Sequence, residues 1–326
     1  MGSWEKINLK SFRYNLCMPI TTDSVKTYYD QNTNLFLKFN NSKKAQNIHR
    51  SLWKDEIENL EDALNFSNSL ILKEIESMNI NSPRIADLGC GVGASLFYIF
   101  PRLQNPKTAL GLTLSSVQAK LAKNSANELN LQNQKTALGL TLSSVQAKLA
   151  KNSANELNLQ NQILFSEGDF TSVPLANESL DAMYSVEAVC HAVEPEKYFR
   201  EASRLLRKGG KLILVDDYQA KRSFTKKESK WLKAYIDGWY VPGVRTIDQI
   251  IEFANKNNLN LIKNEELTPY LRLRNLPDFL ASTILFFGNL LPIKHAILPS
   301  MLGSMALQQC LYMKIVEYRF FVFEKS

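Results

Sequence analysis

The stretch RIADLGCGVGA, Arg84 to Ala94, decides the fold of this chain. Its first half is short and, between Arg84 and Asp87 and at Leu88, apolar, which is typical of a buried strand. Its second half carries glycines at alternate positions, and these let the backbone turn tightly and approach a ligand closely. A strand that ends in such a turn and continues as a helix is the ligand-binding unit of open α/β sheets. The stretch therefore predicts an α/β fold with a binding site at the end of this strand.

The same turn also satisfies a dinucleotide-binding pattern, GxGxxG/A, through Gly89, Gly91 and Ala94. An NAD site requires an acidic residue at the end of the next strand, about 20 residues further on. Thr113 occupies that place, or Thr141 in a repeated segment, and no Asp or Glu adjoins either of them. The sequence therefore disfavours an NAD-linked oxidoreductase.

Outward from the turn, strand-like and helix-like patterns alternate, which predicts a mostly parallel sheet covered on both faces. Helices are expected over most of 23–80, from the turn to about 104, over 195–210 and over 246–259. Strands are expected over 163–170, 180–190, 211–218, 259–267 and 314–325. We predict a helical N-terminal cap (1–80), a cofactor-binding core (81–270), an apolar helical insertion (271–313) and a final core strand (314–326).

The composition is that of an ordinary globular protein, with 45% hydrophobic residues and a net charge of +7 over 326 residues. The basic residues are scattered, so nucleic acid is not an expected partner. Cys17, Cys90, Cys190 and Cys310 are not paired by spacing, which argues against a metal site or a disulfide framework. With neither a signal-like leader nor an apolar run long enough to span a membrane, we expect a cytoplasmic protein.

The segment KTALGLTLSSVQAKLAKNSANELNLQNQ, 107–134, recurs without a change at 135–162. Each copy has the pattern of a strand followed by a helix. Either an extra strand joins the sheet between the second and third strands, or one copy takes the native place and the other is extruded. An inserted strand would displace the third strand by about 4.8 Å, and the cofactor residues that follow it would move too. We therefore favour extrusion, with either copy in place.

Several motifs, taken in order, resemble those of class I S-adenosylmethionine-dependent methyltransferases. DLGCGVGA (87–94) resembles the first motif of that family. GLTLSSVQ (111–118, repeated at 139–146) resembles the GITLSPVQ of tocopherol-type and cyclopropane-synthase-like members. YSVEAVCH (184–191) resembles the YAIEATCH of sterol C-methyltransferases, and RLLRKGGKLILVDDY (204–218) resembles RxLKPGGxLxxxD, with Lys208 in place of the usual Pro.

The resemblance covers about 24–270. It implies an α/β, Rossmann-like methyltransferase fold with a mostly parallel seven-stranded sheet, a helical N-terminal cap and a helical insertion before the last strand. It also implies S-adenosylmethionine as cofactor. The residues that it assigns to the cofactor are Asp87, Gly89, Gly91, Gly93, Asp169 and Phe170, with either Thr113 and Gln118 or Thr141 and Gln146.

Candidate substrate residues come from three segments. YYDQNT (28–33) and IHRSLW (48–53) resemble segments of the same subfamily that approach the cofactor and the substrate, and they contribute Tyr28, Tyr29 and His49. DGWYVPG (237–243) offers Trp239 and Tyr240 as aromatic walls, which suit a cationic intermediate. Packing in a helical core is the alternative for all four aromatic side chains.

Two titratable residues, Glu187 and His191, follow the fourth strand four positions apart, so they share a face if this stretch is helical. Methyl transfer requires an aligned acceptor, exclusion of water and removal of any proton that must leave. The Glu187 carboxylate can stabilise a cation formed by methylating a carbon–carbon double bond, and His191 can act as general base. Both residues can instead bond backbone around the cofactor.

We therefore hypothesise a methyltransferase that acts on a hydrophobic small molecule, preferably by C-methylation of an isoprenoid or lipid-like substrate. O- or N-methylation of a natural product is one alternative. A non-catalytic cofactor-binding protein, impaired by the repeat, is the other. The apolar insertion is compatible with a substrate tunnel, a peripheral membrane contact or a homodimer face.

Overall fold

The computed structural model describes residues 19–39, 49–103, 137–173, 175–220, 223–274, 276–290 and 297–326. These residues contain a seven-stranded sheet in the order β3-β2-β1-β4-β5-β7-β6. The strands β1 to β5 are parallel, and β7 runs antiparallel to both β5 and β6. The predicted mostly parallel, seven-stranded sheet is confirmed. The strands are β1 (Ile85–Leu88), β2 (Ala137–Thr141), β3 (Ile163–Glu167), β4 (Leu180–Val186), β5 (Leu206–Gln219), β6 (Leu259–Glu266) and β7 (Val316–Lys325).

Helices cover both faces of the sheet, and successive strand residues point into two different cores. Ile85 and Ile213 pack into the core beneath α2, α3, α4, α6 and α9, whereas Ala86 and Leu214 pack into the core beneath α5 and α7. The described helices are α1 (Thr22–Phe39), α2 (Leu60–Glu76), α3 (Ala94–Ile99), α4 (Ser144–Glu156), α5 (Pro195–Leu205), α6 (Lys226–Trp239), α7 (Ile247–Asn255), α8 (Asp278–Leu290) and α9 (Ile297–Tyr312).

Local sequence signals account for several of the helix ends. The expected cap of α7 at Thr246 is present as a capping box with Gln249, and Thr225 caps α6 in the same way through Glu228. The helix α2 begins only at Leu60, where Asn59 caps it. A helix was expected over most of 23–80, but 49–59 is not helical. After α3, a single 3-10 turn over Phe100–Arg102 ends the helical segment slightly earlier than predicted.

The helix expected over 195–210 ends at Leu205, and the chain passes directly into β5. Leu206 already pairs with Leu180 of β4. Gly209 lies at φ +71°, a conformation outside the right-handed helix. Pairing with the neighbouring strand therefore replaces the last helical turn that the sequence pattern favoured.

The second copy of the repeat supplies β2 and α4. Within this copy, Leu138 pairs with Ala86 of β1 on one side and with Leu164 of β3 on the other. Among the described strands, the second copy therefore lies directly between β1 and β3, with no further strand between β2 and β3. The first copy, with Thr113 and Gln118, lies outside the described residues, as does Cys17.

Two apolar helices, α8 and α9, lie between β6 and β7, where a helical insertion was expected. The crossing of α9 with α6 is close, since a Cβ atom on Gly238 would lie 2.6 Å from the Cα atom of Gly303. Among the described helices, none is both long enough and apolar enough to cross a membrane.

Candidate functional site

The glycine-rich turn after β1 forms the floor of a cavity. Gly89, Gly91 and Gly93 lie at φ +102°, +54° and +87°, which disfavours residues with a side chain. The amide groups of Gly89 and Cys90 both donate to the carbonyl of Leu140, at 2.8 Å each. These bonds hold the turn against the end of β2.

The cavity lies at the carboxyl ends of β1, β2 and β4, with Val25 and Tyr29 of α1 in its wall. This is the edge at which open α/β sheets bind ligands. Ten of the residues singled out from the sequence line it: Tyr29, His49, Asp87, Gly89, Gly91, Thr141, Gln146, Phe170, Glu187 and His191. The sequence reasoning missed other lining residues, among them Cys90, Ser143 and Ala188.

Asp87 and the turn give the cavity the features of a site for a zwitterionic ligand. The Oδ1 atom of Asp87 is buried and has no hydrogen-bond partner among the described residues, and burial raises the pKa of this carboxyl well above its usual value. A Cβ atom added at Gly89 would lie 2.3 Å from the Cβ of Ala188. A buried carboxyl group, with hydrogen-bonding capacity left over, beside a backbone that must stay free of side chains fits the amino acid part of S-adenosylmethionine.

Thr141 and Gln146, in the second copy of the repeat, form one wall. The hydroxyl of Thr141 donates to Gln146 Oε1 at 2.7 Å, and Ser143 caps α4 by accepting from the Gln146 amide. Ser143 also donates to Asp30 of α1. The repeat copy thus connects the cavity wall to the helix that covers it.

Two of the expected cofactor residues lie beside the cavity instead of lining it. Asp169 Oδ1 accepts from the backbone amide and the hydroxyl of Thr171, at 2.8 Å each, so it stabilises the turn after β3. Gly93 is the N-cap residue of α3. Phe170, in contrast, lines the cavity and packs edge-on against Tyr198.

Glu187 reaches the cavity wall in a way that the sequence did not predict. It lies at φ +50°, and only a single 3-10 turn, Val189–His191, follows it. The condition under which Glu187 and His191 would share a helical face is therefore not met, because the left-handed conformation of Glu187 separates it from that turn. Both side chains nevertheless line the cavity.

The carboxylate of Glu187 is held by Arg50, a residue that the sequence analysis did not single out. Glu187 Oε1 accepts from the backbone amide of Arg50 at 3.0 Å, from its Nε at 3.1 Å and from the hydroxyl of Tyr318 at 2.9 Å. Burial would raise the pKa of Glu187, but the charge of Arg50, the neighbouring His49 and the hydrogen bonds from the Arg50 backbone and Tyr318 together outweigh it, so the net shift is downward. Glu187 is therefore a charged carboxylate at neutral pH.

The side chain of Arg50 is itself held in place by Asp217 and Tyr318. Its Nη1 and Nη2 atoms donate to the two oxygens of Asp217 at 2.9 and 2.8 Å, and its guanidinium lies 4.0 Å from the centre of the Tyr318 ring. Tyr235 donates to Asp217 as well, at 3.0 Å. Such a bidentate, stacked arginine cannot be replaced by lysine without loss of geometry.

His191 is neutral, and its tautomer follows from its partners. Burial lowers its pKa to about 4. Its Nδ1 lies 3.3 Å from the carbonyl of Tyr240, which can only accept, so Nδ1 carries the proton. Nε2 is then the basic atom, and it accepts from the hydroxyl of Tyr29 at 2.7 Å. His191 and Tyr29 form a pair through which a proton can leave the cavity.

Tyr28, Trp239 and Tyr240 lie one layer behind Tyr29. The Tyr28 ring centre is 5.3 Å from that of Tyr29 and 5.3 Å from that of Tyr240. Tyr28 shares a hydrogen bond with Ser300 of α9, and Trp239 donates to Ser304 of the same helix. These three aromatic residues pack behind the residues that line the cavity, and none of the three lines the cavity itself.

His49 is a buried cavity residue, and neither of its ring nitrogens has a hydrogen-bond partner among the described residues. Burial lowers its pKa, against an opposing effect of Glu187. An unpartnered imidazole in a cavity wall has donor and acceptor capacity for a bound molecule.

The fold and the site define a Rossmann-like binding domain, and comparisons with known proteins specify it further. A family sequence model, described as a methyltransferase domain, matches residues 125–214 of this chain. The chain is 23% identical over 186 residues to 24-methylenesterol C-methyltransferase 2 of Oryza sativa subsp. japonica, covering 56% of this chain and 43% of that protein. It is 23% identical over 252 residues to the chloroplastic tocopherol O-methyltransferase of Arabidopsis thaliana, covering 74% of this chain and 60% of that protein.

Among solved structures, the cyclopropane synthase MmaA2 from Mycobacterium tuberculosis shares the fold, with a TM-score of 0.67, 18% identity and coverage of 95% of this chain and 100% of that one. The chain spans less than two thirds of both sequence relatives. Taken together, part of the chain matches a methyltransferase domain, and the chain is similar to methyltransferases in sequence and to a cyclopropane synthase in fold. This similarity agrees with the resemblance that the sequence motifs indicated.

Proposed function

We propose that this protein is an S-adenosylmethionine-dependent methyltransferase that methylates carbon in a hydrophobic, isoprenoid or lipid-like small molecule. One observation carries the proposal: a charged carboxylate, Glu187, and a neutral imidazole, His191, line the same cavity beside the glycine-rich turn. The first can stabilise a positive charge, and the second can take a proton.

In this proposal eight described residues hold the cofactor, which supplies a methyl group already activated by a sulfonium. They are Asp87, Gly89, Gly91, Thr141, Gln146 and Phe170 from the cavity lining, with Gly93 and Asp169 beside it. The remaining task of the protein is to orient the acceptor, exclude water and manage charge and protons.

The two charged or titratable groups have separate tasks in methylation of a carbon–carbon double bond. When the acceptor carbon gains a methyl group, the neighbouring carbon becomes cationic, and the Glu187 carboxylate stabilises that charge. A proton then leaves, and the double bond reforms. Tyr29 can accept this proton on its oxygen as it donates its own to His191 Nε2, since the two atoms are 2.7 Å apart. The neutral phenol is restored in the same step.

The relatives support an isoprenoid acceptor without fixing the atom that is methylated. One is named as a sterol C-methyltransferase and the other as a tocopherol O-methyltransferase. An oxygen acceptor would use the His191–Tyr29 pair, and the charged Glu187 would then contribute only its ion pair with Arg50 and no role in the reaction. This carboxylate therefore favours carbon.

The test is methyl transfer from radiolabelled S-adenosylmethionine to a panel of prenyl alcohols, sterols, phenols and amines. We expect labelled product with an alkene-containing prenyl or sterol acceptor. Label in phenols alone would move the proposal to O-methylation, and label in amines alone would move it to N-methylation. Cofactor binding in a calorimetric titration, without turnover of any acceptor class, would support a non-catalytic binding protein instead.

A further inference from the structure

The helix α8 presents an apolar face to solvent. Phe279, Phe286 and Phe287 are 74%, 61% and 61% exposed, and Leu280 and Ile284 are also exposed. The opposite face, with Ala281 and Leu285, is buried against the rest of the protein. Contiguous exposed apolar surface of this kind marks an interaction site.

A row of lysines borders this face. Lys226, Lys227, Lys230 and Lys233 are exposed along α6, which runs beside α8. Lys230 donates to Ser282, and Lys227 pairs with Asp278 at 3.2 Å, so the row meets α8 along its N-terminal half. Surface pairs such as these are weak, so the ammonium groups remain available to other anions.

We infer that α8 and the lysine row of α6 together form a docking surface for an anionic phospholipid bilayer. An apolar helix face with phenylalanines, bordered by lysines, is the composition of segments that lie in the membrane interface. The phenyl rings would enter the acyl boundary, and the lysines would contact lipid phosphates. If a second copy of the chain bound this face, a second lysine row would meet the first and the like charges would repel. Anionic lipid headgroups neutralise the lysine row instead.

The surface is close to the catalytic cavity through α9. Leu302 of α9 packs against Gly288 of α8, and Ser300 of α9 bonds Tyr28 behind the cavity wall. If the proposed function holds, this surface would bring the cavity close to a bilayer that contains hydrophobic acceptors. Lipid binding itself does not depend on that function.

The experiment is co-sedimentation of the full chain with vesicles of phosphatidylcholine alone or of equal parts phosphatidylcholine and phosphatidylglycerol. We expect binding to the anionic vesicles that weakens with added salt, because exposed charges are screened. F286S/F287S should lower the affinity by about tenfold or more, since burying one phenyl ring is worth about that factor. K226Q/K230Q/K233Q should weaken the salt-dependent part of the binding, because only Lys227 of the row remains.

The matched control is L157S/I262S, which removes two side chains that are 53% and 50% exposed elsewhere on the surface. It should leave vesicle binding unchanged, and thermal melting verifies that each variant folds. Equal binding by wild type and F286S/F287S, or no binding by the wild type, would overturn the inference. So would a wild-type dimer that F286S/F287S converts to a monomer, because the face would then be a subunit contact.

Discussion

At the scale of single residues, the site depends on the buried arrangement of Arg50, Glu187 and Asp217. Two carboxylates surround one guanidinium, with side-chain exposures of 19% for Arg50, 14% for Glu187 and 1% for Asp217. Removing one partner from such a group leaves an uncompensated buried charge. The arrangement therefore fixes both the charge and the position of the proposed catalytic carboxylate.

We expect R50M to lower the free energy of unfolding by about 3–5 kcal/mol, because Glu187 and Asp217 would lose their shared counter-charge. E187Q keeps the shape of the side chain, and it should cost less stability but reduce kcat by about 100-fold or more if a carboxylate stabilises the cation. Denaturant unfolding and single-turnover rates measure the two effects.

The control for E187Q is D181N. Asp181 is also a buried carboxylate paired with arginine, through Arg84 Nε at 3.0 Å, but it lies at the other end of β4 and lines no part of the cavity. D181N should destabilise the protein without a specific loss of kcat. Equal kcat losses in D181N and E187Q would mean that Glu187 acts only through stability.

His191 gives a prediction about pH. Its pKa is about 4 when folded, against an ordinary value of 6.5, so between these values the unfolded chain binds a proton that the folded chain does not. Stability therefore falls as pH falls from 6.5 to 4, by roughly 3 kcal/mol from this group. The difference in unfolding free energy between wild type and H191Q, measured across this range, isolates the effect.

The comparison with H191Q is needed because the titration of Asp216 changes the stability with pH in the opposite direction. Burial and the neighbouring Asp217 raise its pKa to about 7, so its contribution to stability is lost as pH rises towards that value. Because H191Q retains Asp216, the contribution of Asp216 cancels when the two free energies of unfolding are subtracted. A pH-independent difference between wild type and H191Q would contradict a buried neutral His191.

At the scale of elements, the glycine-rich turn and the loop after β4 are packed together. G89A should abolish cofactor binding, because its Cβ would collide with Ala188 and its φ of +102° would be strained. G209A is the matched control. Gly209 also has a positive φ, +71°, but nothing lies within 4 Å of its added Cβ. Retained binding in G89A, by calorimetric titration, would show that the turn is not a binding element.

The strand β2 allows the two repeat copies to be distinguished experimentally. Leu140 is 1% exposed and lies between β1 and β3, so L140D should destabilise the protein by about 3 kcal/mol or more. L112D makes the same change at the equivalent position of the first copy and should cost less. If L140D is as stable as wild type, the first copy can take the place of the second.

Local patterns predicted most elements of the fold. Where the predicted end of α5 is wrong, pairing between strands is the reason. The capping box at Thr246 and the alternation of β7 are properties of neighbouring residues, so the sequence displays them directly. The end of α5 at Leu205 depends on β4, which pairs with Leu206. For the site, the glycine turn could be read in the same local way, but the partners of Glu187 could not.

At the scale of the whole molecule, the duplicated segment, 107–134 and 135–162, is the most unusual feature of the sequence. A chain that lacks 107–134 has one copy and keeps the connection into β2. We expect it to be at least as stable as the full chain, by up to about 2 kcal/mol, because a shorter connection closes at a lower entropic cost. It should also bind S-adenosylmethionine with unchanged affinity.

Chemical denaturation and calorimetric titration of the two chains make this comparison. Unfolding or loss of cofactor binding in the one-copy chain would show that the first copy contributes to the core or to the site. Equal binding in both chains would show that the cavity formed by the second copy is sufficient.

The sequence by itself determined the α/β class, the glycine-rich turn and the helical insertion, because turn chemistry and hydrophobic periods are encoded in adjacent residues. Only the tertiary structure decided which identical copy forms β2, since equal sequences have equal local energies and differ only in their connections. It also paired Glu187 with Arg50, which is 137 positions away, left His49 without a partner and brought Tyr29 onto His191. Contacts between distant segments depend on how the elements pack, and no local pattern records them.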